Sequence, residues 1–267
     1  MSGLDLFLVV AAAILLAGFV AIVRSYSRGL GDSPRELFLV LLGKFIEYSA
    51  FAACMLSFVL FLNFDVGLSD VAAGSYVGLW MVLISALMVL VGAVCDVVGI
   101  KRTLLIGVVA LLIGRISLVL TDDVWLVSLM GFVPLALGVA IAGPVLLVAV
   151  KRFTTEAGAT LAFGLYVTLL NLGFAVGGWI FDYVRGIYGD YSIVTTLPLA
   201  GDVSVYQVLI AVSFGITIIQ LIVINLLRDN VEMTETGIRV LPVAASQVRS
   251  SIGAVKSALS SACRCDE

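Results

Sequence analysis

The sequence predicts an all-α fold, a polytopic membrane helical bundle, on two observations. The first is composition: 62% of the 267 residues are hydrophobic, 12% are charged, histidine is absent and mean hydropathy is +1.20. Soluble domains run near ~45–50% apolar, so a water-facing globule has nowhere to put this much apolar surface. The second is pattern. Seven apolar stretches come close to the roughly 20 residues that a helix needs to cross about 30 Å of hydrocarbon, where backbone groups find no partners but their own. No run alternates as the ~10-residue strands of a membrane barrel do.

The stretches are 6–23, 37–62, 71–95, 103–120, 124–150, 157–181 and 203–227. The first is expected to be a retained helix rather than a cleaved signal, because Asp5 precedes it, no Lys or Arg does, and its basic flank follows the apolar run. The second carries Lys44, Glu47 and Tyr48, the third Tyr76 and Trp80, and the fourth Arg115. The fifth holds Pro134 and Pro144, which are expected to kink it. The sixth carries Tyr166 and Asn171, and the last Gln220. Gly74 with Gly78, and Gly173 with Gly177, have the G-x-x-x-G spacing that lets helices approach closely, so both are expected to be packing contacts. In the tail, Val248, Ile252, Val255 and Leu259 recur at helical spacing, as in a short amphipathic helix on a membrane surface. The expected organisation is therefore 1–36 (extra helix and loop), 37–227 (six-helix unit) and 228–267 (tail).

Basic residues orient the chain. Arg24, Arg28, Arg35, Lys101, Arg102, Lys151, Arg152 and the tail's Arg228, Arg239, Arg249, Lys256 and Arg264 fall on one side, while the other keeps Arg185 among acidic loops. The positive-inside rule predicts the N-terminus outside and the C-terminus cytoplasmic, in a plasma or organelle membrane. Cys54 and Cys95 read as small buried hydrophobes, and Cys263 and Cys265 lack zinc or prenylation spacing. No metal, cofactor or nucleic-acid partner is expected. Without histidine, a phosphate loop or a dinucleotide fingerprint, enzyme chemistry of a familiar class is not expected either. A retinal protein needs a lysine in its last helix, and 203–227 has none.

Between the third and fourth stretches stands "GAVCDVVGIKR", in which Gly92, Asp96, Gly99, Lys101 and Arg102 form G-x-x-x-D-x-x-G-x-K-R. This resembles the signature loop of the major facilitator superfamily in spacing, chain position and predicted side. Gly178 and Asp182 in "GGWIFDYVRG" echo the pair on the opposite predicted face, as two inverted three-helix repeats require. The resemblance implies the N-terminal six-helix half of a transporter, with the signature loop as a conformational latch against a second half. Either the sequence is truncated, or the half assembles with another half or with itself. "KFIEY" further resembles the E-x-x-E-R-F motif of proton-coupled oligopeptide transporters. Glu47 stands at the second glutamate, Lys44 in place of the first and Tyr48 in place of the arginine. The function implied is ion- or proton-coupled transport of a small solute; the alternative is a non-transporting scaffold or regulator derived from such a half.

Charges in a bilayer core cost at least ~2.5–3.5 kcal/mol and are functional candidates by default. Counted at about 1.5 Å per residue, Glu47 lies roughly 15 Å deep and Arg115 roughly 18 Å, with Asn171 at similar depth. These three, with Lys44, Tyr48, Tyr166 and Gln220, are the expected substrate or coupling residues. Glu47 and Arg115 are expected to form a salt bridge between helices, with Lys44 pairing locally or reaching the interface.

Overall fold

The structure is a computed structural model and describes residues 24, 30–31, 33–197, 201–228, 231–234 and 237–240; the side chains of 92–97, 157, 196–197, 201, 231–234 and 237–240 lie outside the description. The expectations for 6–23, the amphipathic tail, Cys263 and Cys265 also lie outside it. Six membrane-length helices follow one another: α1 Arg35–Phe64, α2 Asp70–Val98, α3 Ile100–Leu120, α4 Val124–Arg152, α5 Glu156–Tyr188 and α6 Val205–Asn225. Each lies within a few residues of its predicted span, apart from α5, which runs on to Tyr188. Two hairpins were not foreseen: β1 (Ile193–Leu197) with β2 (Gly201–Ser204), and β3 (Val231–Thr234) with β4 (Gly237–Val240).

Local chemistry places the helix ends. Asp123 accepts from the amides of Trp125 and Leu126 at 3.0 Å to start α4, and Thr155 accepts from Gly158 to start α5. Ser204 and Gln207 form a reciprocal capping box at the start of α6. Between α2 and α3 stands a single residue, Gly99, with φ at 92°, a backbone that L side chains rarely adopt. Within α4, residues Val127–Phe132 are wound as a π-helix directly before Pro134. A wider turn there accommodates the missing amide of Pro134, whereas Pro144 stands within continuous α-helix.

The pattern of contacts reveals the repeat. α1 packs chiefly on α5 and α6, α4 on α2 and α3, and α3 on α6. Exchanging each helix with the one three places along turns α1–α5 into α4–α2 and α1–α6 into α4–α3, and leaves α3–α6 unchanged. That is the contact map of two three-helix units of inverted orientation. Glycine makes the closest contacts. A Cβ at Gly114 would stand 2.7 Å from the Gly131 carbonyl, and one at Gly138 would stand 2.7 Å from the Gly107 carbonyl, so α3 and α4 touch backbone to backbone. Phe58, Trp80 and Phe132 fill the core between α1, α2 and α4, with the Trp80 indole donating to the Phe132 carbonyl at 2.9 Å. Trp80 is thus interhelical, and Tyr76 bonds Ser128 beside it. The two also line an apolar groove of about 250 Å³ with Leu79, Leu83, Leu129 and Val133.

The two ends of the bundle are tied differently. At the basic end, Lys101 donates to the Asn225 carbonyl at 2.7 Å and Arg35 to the Leu226 carbonyl at 3.2 Å, cations placed where α6 ends in bare carbonyls. Buried Glu36 there is paired with Arg35 at 3.2 Å and Arg228 at 3.9 Å. At the acidic end, Ser204 also donates to Asp65 at 2.9 Å, joining the end of α1 to the start of α6. Burial pushes the Asp65 carboxyl up to about 6; the Ser204 hydrogen bond opposes the rise and nearby Asp122 adds to it. Since the folded value exceeds the unfolded ~3.9, this group destabilises the fold as pH rises from about 4 through 6, and its cost is absent below that window. Asp65→Asn is therefore expected to raise stability at pH 7.5 by about 1 kcal/mol, after discounting for solvent screening, and to leave it unchanged near pH 4. Thermal unfolding of both proteins at the two pH values measures this. Parallel pH profiles would show that Asp65 does not carry the dependence.

Candidate functional site

Midway along α1, Lys44 and Glu47 are 1% and 3% exposed. They sit one turn apart on the same helix face, and the Lys44 ammonium donates to the Glu47 carboxylate at 2.9 Å. Two aromatic rings complete the surroundings. The ammonium lies 4.1 Å from the ring centre of Tyr48 and 5.2 Å from that of Tyr166 on α5, whose quadrupoles attract a cation. The Tyr166 hydroxyl leans on the Gly143 carbonyl of α4 at 3.4 Å. Lys44, Glu47, Tyr48 and Tyr166 thus come together. α1 and α5 can approach because Gly173 and Gly177 present no side chain: a Cβ at Gly173 would stand 2.6 Å from the Phe45 carbonyl, and one at Gly177 would stand 2.6 Å from that of Ser49.

Arg115 is elsewhere in the same bundle. Its side chain is 1% exposed and bonds the Thr217 hydroxyl of α6, which itself donates to the Ser213 carbonyl at 2.8 Å. Among the described residues it makes no ion pair. The interhelical Glu47–Arg115 salt bridge expected from depth is not formed: the carboxylate bonds Lys44, although Glu47 stays close enough to act on Arg115 electrostatically. Estimating depth from helical rise says how far along a residue lies but not which way round the helix it points. Gln220 is fully buried on the Thr217 side of α6, whereas Asn171 is exposed on α5, its amide bonding the Val167 carbonyl. Asn171 does not join the others.

In the signature loop, Gly99 makes the turn, Lys101 holds the end of α6, Arg102 is exposed, and the side chains of Gly92 and Asp96 lie outside the description. Cys54, Ser213 and Thr217, which surround Arg115, are absent from the sequence-based set. The signal was there: Ser213, Thr217 and Gln220 stand at i, i+4 and i+7 in an otherwise apolar helix, one polar stripe on one face.

No protein-family model and no curated protein matches the sequence. The fold does match solved structures. A peptide transporter POT in complex with alafosfalin aligns with TM-score 0.63 at 16% identity, over 85% of this chain and 46% of that one. The fold is of the major facilitator type. A POT family transporter in complex with 5-aminolevulinic acid aligns with TM-score 0.63 at 16% identity, covering 85% of this chain and 45% of that one. Tetrameric PepTSo2 gives 0.62 at 20% identity, over 83% and 46%. The chain spans about half the length of these transporters. It is an integral multi-pass membrane protein, and the six helices among its described residues correspond in fold to one such portion.

Proposed function

We propose that this chain is the N-terminal half of a secondary active transporter that moves a small solute, coupled to a proton or another ion, and works with a second six-helix half. The observation that supports it best is the buried Lys44–Glu47 pair, set midway along a helix of a major-facilitator-type bundle beside Tyr48 and Tyr166. A charged pair at that depth is costly unless it is used, and sites of this kind lie near the midplane at the repeat interface. Lys44 and Tyr48 depart from the E-x-x-E-R-F pattern, so peptide specificity does not carry over with the fold, and the proposal names the solute only as a small one. The basic end carrying Arg35, Lys101 and Arg152 is assigned to the cytoplasm by charge.

The test begins with the coding sequence directly downstream, where a second six-helix segment is expected, and continues with uptake by the two halves in proteoliposomes. Solute entry driven by an ion gradient supports the proposal; an inert two-half assembly leaves the scaffold reading. In that assembly Asp96→Asn is expected to lower uptake at least tenfold while membrane insertion is kept, because the latch acts between halves. Full uptake by Asp96→Asn would make it an ordinary loop charge. Tags at Gly67 and Gly201 should be reached from outside intact cells and one after Glu267 should not; the reverse labelling would invert the orientation.

A further inference from the structure

We infer that the buried polar cluster between α1, α3 and α6 is a binding site for a small inorganic anion of the chloride class, built from Arg115, Ser213 and Gln220, with Thr217 holding the guanidinium in place. The first argument is charge. Lys44, Glu47 and Arg115 are each at most 3% exposed, and they supply two cations against one carboxylate, which Lys44 already holds. The guanidinium is left with the Thr217 hydroxyl and the Cys54 sulfur, and it feels Glu47 only through space, in a place where an incompletely balanced charge is expensive.

The second argument is hydrogen bonding. Among the described residues, Arg115 Nε and both amide atoms of Gln220 are buried without partners, and the Ser213 hydroxyl meets only the weakly bonding Cys54 sulfur. Interiors rarely leave several polar atoms unmet in one neighbourhood, and here two of the three unmet atoms can donate, with the poorly satisfied Ser213 hydroxyl beside them. Ser213, Thr217 and Gln220 line one face of α6, Thr217 bonds the guanidinium, and Cys54 of α1 closes the cluster beside Arg115 and Ser213. A site rich in donors, positively charged and enclosed by three helices suits a compact monovalent anion that accepts from all sides. It does not suit a divalent cation. The inference does not depend on transport, since the anion is read as part of the folded bundle.

The experiment is thermal unfolding of the purified full chain in detergent, followed by intrinsic tryptophan fluorescence, in sodium gluconate against sodium chloride and bromide at constant ionic strength. Chloride at about 100 times its Kd is expected to raise Tm by on the order of 5 °C, saturably. Arg115→Gln should abolish the rise. Ser213→Ala guards against misfolding: removing a buried hydroxyl met only by a thiol costs little in gluconate, so this variant should fold yet lose the chloride response. Equal Tm in gluconate and chloride would overturn the inference, as would a full chloride response in Ser213→Ala.

Discussion

Glu47→Gln is expected to cost the bundle about 3–5 kcal/mol, because it leaves the Lys44 ammonium charged, 1% exposed and supported by two aromatic faces alone. A loss of that size removes much of the margin of a typical domain, so folded yield in detergent should fall sharply. Neutralising both residues, as Lys44→Gln with Glu47→Gln, should recover most of the stability, since the penalty belongs to the orphaned charge rather than to the missing pair. Adding Arg115→Gln to Glu47→Gln should not rescue it, because Arg115 bonds Thr217 and not Glu47. Stability and uptake together then separate two roles. If the pair only holds α1 in place, the Lys44/Glu47 double variant assembles and transports; if it couples ion to solute, that variant assembles and is inert. A Glu47→Gln protein as stable as the wild type, or one rescued by Arg115→Gln, would mean that the pair seen along α1 is not the one that matters.

The contrast between these two pairings marks what the sequence could and could not convey. Spans, helix order and the inverted repeat were legible because lipid imposes length and apolarity on each helix, and these properties are local. That Lys44 and Glu47 share a face was also local, through their three-residue spacing. The direction in which Arg115 points is set by how α3 docks on α4 and α6, through glycine contacts at Gly107, Gly114, Gly131 and Gly138 that no single span announces. The β1–β2 hairpin is a milder case. Ile193, Val194, Thr195 and Thr196 favour a strand, yet they stand in a loop between spans where apolar periodicity gives no guide. Asn171 illustrates the reverse error, a polar residue at a suitable depth that the docking of α5 leaves exposed.

The two G-x-x-x-G pairs make this distinction measurable, since the sequence treats them alike and the structure does not. Gly173 and Gly177 lie against α1, where a Cβ at Gly177 would stand 2.5 Å from Ala52 Cβ and 2.6 Å from the Ser49 carbonyl. A backbone oxygen cannot rotate away as a flexible side-chain tip can, so relief requires α1 and α5 to separate. Gly177→Leu is expected to cost about 3 kcal/mol, roughly 6–12 °C in Tm, and to disturb the site as well, because that separation draws Tyr166 from Lys44. Gly74 and Gly78 on α2 are exposed, with nothing within 4 Å of a Cβ at either, so they do not make the packing contact within this unit that their spacing suggests. Gly78→Leu should therefore leave the unfolding temperature of the chain within about 2 °C of wild type, the usual range for a surface change. If the second half docks on that face of α2, the same variant should lower uptake by the assembled halves without loss of stability. Should Gly78→Leu destabilise the chain as much as Gly177→Leu, α2 packs against more of this unit than the contacts show, and the face assigned to a partner is already occupied.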